Sequence, residues 1–154
     1  MSLDVNHRPS LPGTAASIGV VRTLAAQAQI VFVGQDELHV LSAETDPAAA
    51  AAEIAGTGPT EVVVKRGDAG ALAWADGVLH AATAPRVAVV DVIGAGDSFV
   101  AGYLAARAEA LDPDDRLHWA SVCAAFTVGT HGDWEGLPTR AELMSFETGT
   151  TTQR

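Results

Sequence analysis

The sequence predicts an α/β fold: a mostly parallel, layered sheet with helices on both faces and an antiparallel hairpin at one edge. Three observations predict it. Short β-branched runs, IVFV at 30–33, VVV at 62–64 and VAVV at 87–90, alternate with helical stretches rich in alanine. Runs that are apolar throughout belong to parallel strands covered on both sides. Asp76-Gly77 parts two further apolar runs, the signal of a two-residue hairpin. Finally, 154 residues, 48 % of them hydrophobic and 18 % charged, suit one globular domain with a sizeable core.

The elements follow in order. MSLDVNHR at the start reads as a strand that Pro9 ends. Beyond the Pro12-Gly13 loop, residues 15–28 form a helix with Ile18, Val21 and Leu24 or Ala25 on one face. Ile30–Val33 is a buried strand closing at Gly34, and residues 35–42 read as helical. Asp46-Pro47 opens the next helix as N-cap and first-turn proline, with Gly56 and Gly58 at its exit. Residues 60–67 are a strand punctuated by Gly67 and Gly70, and the 71–82 hairpin follows. Val87–Val90 is a further buried strand. Asp112-Pro113 starts the last long helix, whose inward face holds Leu117, Ser121, Ala124, Ala125 and Val128. Residues 1–146 thus read as one domain and 147–154 as a disordered tail.

Composition narrows the function. Nineteen acidic against nine basic side chains give a net charge of −10, which argues against nucleic acid as a partner. No window approaches 18 consecutive apolar residues, so no membrane span is expected. Residues 1–15 lack the basic-then-apolar pattern of a leader. Cys123 is the sole cysteine, a core residue by expectation, and no internal disulfide is possible. Together these predict a cytoplasmic location. Histidines 7, 39, 80, 118 and 131 lack metal-ligand spacing, so zinc is not expected. Trp74, Trp119 and Trp134 read as packing or loop anchors.

The chemistry concentrates in VVDVIGAGDSFVAGYLAA, residues 89–106. Gly94 and Gly96 permit backbone angles and close approach that a Cβ forbids. The amides of Ala95, Gly96 and Asp97 can then converge on one oxyanion at a helix N-terminus. Asp97 would repel a phosphate that is merely held there. From this segment alone two readings stand: Asp97 caps a helix starting at Ser98, or it removes the proton of a neutral hydroxyl lying between carboxylate and phosphate.

The stretch resembles the DTxGAGD signature of the ribokinase-like carbohydrate kinases of the phosphofructokinase-B type. Three more segments resemble that family in the same order: DVNHRP at 4–9, VVVKRGDAGAL at 62–72 and GDWEGLPTRAEL at 132–143. The first is similar to a D-x-N-x-R segment of 2-dehydro-3-deoxygluconate kinases. The resemblance implies Asp97 as general base for a sugar hydroxyl and Gly94, Ala95 and Gly96 as the anion hole. It implies that Asn6, Lys65, Gly67, Gly70 and Ser121 lie along ATP, with Ser121 standing where many members have asparagine. Arg8 is implied to meet a phosphate or an acidic sugar, its fork suited to either. Glu37 matches the acid of an N-x-x-E element that orders Mg2+ through water, with Gly34 in place of the asparagine. Asp91 and the Ile93 carbonyl match a monovalent-cation site, one that takes potassium, although Val92 and Ile93 replace the commoner threonines.

The implied activity is phosphoryl transfer from Mg-ATP to a sugar or keto-deoxy sugar acid. The chain matches the family from about its midpoint onward, so the lid and most sugar contacts are expected to lie in a missing N-terminal half or a second chain. Little activity is expected from these residues alone. A non-catalytic ATP-binding or regulatory module is the first alternative. A Rossmann dinucleotide binder is the second, opposed by Phe99 at the third glycine position of G-x-G-x-x-G.

Overall fold

A computed structural model describes residues 1–8 and 14–147, in two compact units, Met1–Ala81 and Ala82 onward. The first is built on a five-stranded sheet in the order β1 (Ser2–Asp4), β2 (Ile30–Gly34), β3 (Glu61–Lys65), β4 (Ala71–Ala75) and β5 (Val78–Ala82). β1 and β3 run parallel to β2, with Ser2 opposite Ile30 and Ile30 opposite Glu61. β4 returns antiparallel, placing Glu61 opposite Ala75. At the β4–β5 turn Asp76 and Gly77 have φ of 52° and 78°, the paired left-handed angles that a type I′ hairpin demands. The predicted α/β class and its edge hairpin are therefore present.

Alternation decides which side chains meet the helices. Val31 and Val33 of β2, Val62 and Val64 of β3, and Leu72 of β4 share one face and one core cluster. Onto that face pack α1 (Thr14–Gln27), through Ala25 with Ile18 and Val21, and α2 (Pro47–Ala55), through Ala50, Ala51 and Ile54. Of the predicted pair it is Ala25 that is buried, while Leu24 is exposed. The Asp46 side chain accepts from the Ala49 amide and caps α2 as its sequence requires.

The second unit is helical: α3 (Ala95–Ala108), α4 (Pro113–Val128) and α5 (Arg140–Glu147). Helices α3 and α4 meet closely at Gly102, where an added Cβ would lie 2.8 Å from Cys123 Sγ and 3.0 Å from the Ala120 Cα. Burial pushes the Cys123 thiol up to about 11, which makes it an inert packing group. Asp112 caps α4 by accepting from Asp115 N at 3.0 Å. Thr139 and Glu142 form a reciprocal capping box at the start of α5. Arg140 then joins Glu109 at 2.6 Å and lies over Trp119.

Four local expectations are corrected. Val87–Val90 is neither strand nor buried: residues 83–92 belong to no helix or strand, and Val89 is 67 % exposed. A strand needs a neighbour to ladder with, and this run has none among the described residues; instead the Val90 and Asp91 amides both donate to the Val128 carbonyl. The first strand stops at Asp4, because Asn6 turns left-handed with φ of 41°. Residues 35–40 form a 3-10 helix that stops short of 42. Helix α3 begins at Ala95, three residues before Ser98. The predicted tail lies outside the described residues apart from Glu147, which ends α5. Among the described residues, no helix is long and apolar enough to cross a membrane.

Candidate active site

The predicted site residues fall into two groups, one in each unit. In the second unit, the turn before α3 is fixed from several directions. The Asp91 carboxylate accepts from the Ile93 amide at 3.0 Å and the Gly132 amide at 3.5 Å. The Ile93 bond, with a smaller share from Gly132, holds its pKa below the ordinary aspartate value against some desolvation. Gly94 has φ of 76° and is the N-cap of α3. An added Cβ at Gly94 would stand 2.8 Å from the Asp133 Cα, inside contact distance of rigid backbone. Glycine is therefore required here twice, for its angle and for its lack of a side chain.

This geometry decides between the two readings of Asp97 as far as the helix is concerned. The residue sits in the first turn, exposed, and α3 has no side-chain cap. Among the described residues no hydrogen bond engages its carboxylate. The capping reading requires a helix starting at Ser98, and that start is occupied by the Ser98 amide bonding Gly94 O at 2.9 Å. The Ala95 amide donates to Val92 O at 3.3 Å, so this member of the predicted anion hole already has a partner. The amides of Gly96 and Asp97 have no such partner among the described residues, as expected for the first turn of a helix. An open carboxylate thus stands beside two open donors and the positive end of the helix dipole. Ser121 in α4 is 6 % exposed, and its hydroxyl has no hydrogen-bond partner among the described residues.

In the first unit the predicted residues gather at the carboxyl ends of the parallel strands, where ligands of open α/β sheets sit. Lys65 at the end of β3 reaches across β2 to Asp4 at the end of β1, with both carboxylate oxygens within 2.8 Å of Nζ. Its ammonium is committed to that pair, which is half-buried. Asn6 and Arg8 are exposed, and Asn6 Oδ1 accepts from Arg8 Nε at 3.3 Å. Glu37 ties the segment after β1 to the end of β2: its carboxylate accepts from Gly34 N at 2.7 Å and from His7 N. Gly67 and Gly70 bracket a one-turn 3-10 helix closed by its own hydrogen bonds, Arg66 N to Gly70 O at 2.9 Å among them. Two features elude sequence reasoning. The Asp4–Lys65 pair joins residues 61 positions apart, and although 132–143 resembles the family, nothing in it announces that the 132–133 backbone backs onto Gly94.

Comparison with known proteins assigns the family. The profile of the pfkB family carbohydrate kinases matches residues 4–140. The 2-dehydro-3-deoxygluconokinase of Bacillus subtilis (strain 168) is 34 % identical over 150 residues, 95 % of this chain and 46 % of that protein. A ribokinase II of Escherichia coli, solved with ATP and Mg2+, superposes with a TM-score of 0.88 at 28 % identity, covering 96 % of this chain and 48 % of its own. A fructokinase variant of Vibrio cholerae O395, solved with fructose, ADP and potassium, gives a TM-score of 0.82 at 27 % identity, covering 94 % and 49 %. The chain spans about half the length of these relatives. A profile match over most of the chain displaces the dinucleotide-binding alternative: the chain belongs to the pfkB family of carbohydrate kinases.

Proposed function

We propose that this chain carries the phosphoryl-handling portion of an ATP-dependent sugar kinase, with Asp97 as general base. The observation that carries the reading is the unengaged Asp97 carboxylate beside the open Gly96 and Asp97 amides. In the proposed step the carboxylate takes the proton of the acceptor hydroxyl. That oxygen bonds the terminal phosphorus, the bond from phosphorus to the bridging oxygen breaks, and ADP leaves with the electron pair. Charge on the transferred group's oxygens is met by the amides of Gly96 and Asp97 and the helix dipole.

The other roles follow from chemistry and resemblance. Arg8 suits the carboxylate of a keto-deoxy sugar acid, the class acted on by the 34 % identical 2-dehydro-3-deoxygluconokinase. Asn6, Gly67, Gly70 and Ser121 are assigned to the nucleotide. Lys65 shapes that surface through its pair with Asp4 rather than as a free cation.

Among the described residues no group of three or more His, Cys, Asp or Glu is placed to hold a metal. Mg2+ does not need such a group, being usually held by one or two carboxylates with waters and phosphates. Glu37 is the acid that would hold its water shell: each carboxylate oxygen bonds one amide and keeps further lone-pair capacity. Bound there, the ion would neutralise phosphate charge. Asp91, kept anionic, and the Ile93 carbonyl would hold a potassium ion. A cytoplasmic setting accords with the single buried cysteine.

Calorimetry with Mg-ATP and an assay of ADP formation test the reading. The chain is expected to bind Mg-ATP, and Asp97→Asn to bind it at least as well because a like charge is gone. ADP formation dependent on 2-dehydro-3-deoxygluconate, small for these residues alone, is expected to fall about 10²–10⁴-fold in that variant. No heat with Mg-ATP, or turnover undiminished in Asp97→Asn, overturns the proposal. Heat without any sugar-dependent turnover would instead favour a non-catalytic ATP-binding module.

A further inference from the structure

We propose that a cavity between α1 and α2 binds a small zwitterion, an α-amino acid with an aliphatic side chain. The inference goes beyond the kinase reading and does not rest on it, since no residue lining the cavity is assigned to nucleotide, sugar or ion. The cavity holds about 510 Å³, within the range of small-molecule sites. One wall is α1, where Arg22, Ala25 and Ala26 follow at the spacing of a single helix face. Glu53 and Ile54 of the last turn of α2 form a second wall, and Leu41 and Ser42, which follow the 3-10 helix, form a third. Buried Ala25 and Ile54, with half-buried Leu41, supply its apolar surface.

The charges decide the ligand. Arg22 Nε donates to the Val40 carbonyl at 2.7 Å, which holds the guanidinium in place while its two Nη groups have no partner among the described residues. Glu53 accepts from the Ser42 hydroxyl through one carboxylate oxygen, and the other oxygen has no partner among the described residues. Ser42 is itself held, its hydroxyl oxygen accepting from the Glu44 amide at 2.9 Å. A base and an acid thus line one cavity, each tied to the chain at 40–42, and among the described residues no ion pair joins them to each other. An anion alone would be drawn to Arg22 and repelled by Glu53, and a cation alone the reverse. A molecule of both signs meets a complement at each end, its carboxylate at the paired Nη donors of Arg22 and its ammonium at the open oxygen of Glu53. Because both side chains are held before binding, little loss of freedom opposes the gain. Ala25, Leu41 and Ile54 then suit an aliphatic side chain over a polar one.

The test titrates L-leucine into the isotope-labelled chain while NMR follows the amides of residues 22–26, 40–43 and 53–57. Saturable shifts centred on those segments are expected below about 10 mM. Isocaproate, which is leucine without its amine, and isoamylamine, which is leucine without its carboxylate, are each expected to bind about tenfold more weakly or worse. Arg22→Gln and Glu53→Gln should each weaken leucine by a similar factor with circular dichroism unchanged. The proposal is overturned if leucine gives no saturable shift, or if either analogue binds as tightly as leucine. It is equally overturned if both variants fold and bind leucine as the parent chain does, or if Mg-ATP displaces leucine, since the cavity then belongs to the nucleotide. Should a variant fail to fold, the two analogues on the parent chain still decide. Leucine shifts that persist where Mg-ATP gives no heat would keep this site and remove the kinase reading.

Discussion

Two glycine turns of this chain look alike in sequence and differ in what their backbones leave open. At 67–70 the turn closes on itself: Ala69 N bonds Arg66 O, Gly70 N bonds Gly67 O, Arg66 N bonds Gly70 O, and the Arg66 guanidinium reaches Ala69 O. At 94–97 the carbonyl of Gly94 is used by α3, while the amides of Gly96 and Asp97 have no partner among the described residues. Both glycines are left-handed, Gly67 at 57° and Gly94 at 76°. The space around them separates the two. A Cβ on Gly67 would meet nothing within 4 Å, whereas one on Gly94 would strike the Asp133 backbone. Glycine content alone thus does not separate the two turns; unspent donors do.

Substitution at Gly94 should break the comparison most visibly. Alanine there combines the left-handed penalty with overpacking against backbone, so Gly94→Ala is expected to destabilise by about 3 kcal/mol. It should also abolish Mg-ATP binding measured by calorimetry, because the Asp133 segment and the turn cannot both keep their places. A variant of unchanged stability that still binds would show that the contact with Asp133 is not what sets the turn.

Asp91 probes the same turn more gently, since an asparagine in its place would still offer one oxygen to an amide. Asp91→Asn is expected to lower the melting temperature at neutral pH by less than Gly94→Ala does. The sign of the pH dependence follows from the lowered pKa. The ionised form is the one bonded in the folded chain, so its contribution is present above the unfolded-state aspartate value and fades as pH falls through the lower folded value. The wild-type advantage over Asp91→Asn should therefore be flat near neutrality and shrink in acid below about pH 4. An advantage that grows on acidification would contradict the two amide bonds.

What is legible in the sequence divides along the same line between local and distant causes. The hairpin at 76–77, the caps at Asp46 and Asp112 and the Gly94–Asp97 turn are each specified by residues within a few positions, and each is present. The start of α3 lies three residues ahead of the expected one, because the left-handed Gly94 serves as N-cap without any side chain to announce it. Val87–Val90 has the pattern of a strand without its state. Strand propensity is a preference for a pleated, half-buried surface, and nothing within the run reveals whether a neighbour exists. The commitment of Lys65 to Asp4 is hidden because it spans β2, and pairing register is a property of the whole sheet.

Gly67→Ala tests the milder half of the comparison. With open space around the new methyl, only the left-handed angle opposes it, so the expected loss is about 1 kcal/mol in denaturant unfolding. The turn's own hydrogen bonds should survive. A loss as large as that of Gly94→Ala would mean that the 67–70 turn is packed as tightly as the other.

The smallest effect, and one of opposite sign, is expected where a left-handed residue lacks the glycine it calls for. Ala110 has φ of 58° just past α3. Leu111 N bonds Ala106 O at 3.2 Å and Ala110 N bonds Arg107 O at 3.0 Å. Those two bonds, with Leu111 packed on the cluster that contains Ala106, make a Schellman motif in which Ala110 takes the position glycine usually fills. Ala110→Gly removes the clash of Cβ with the following carbonyl, and the added freedom of the unfolded chain offsets part of the gain. A net stabilisation of about 0.5 kcal/mol is expected, read as a small rise in the denaturant midpoint at unchanged slope. Since Ala110 lies thirteen positions beyond Asp97, at the opposite end of α3, Mg-ATP binding should not change. A loss of stability would mean that α3 does not end in the left-handed turn, and the logic that separates Gly94 from Gly67 would lose its third case.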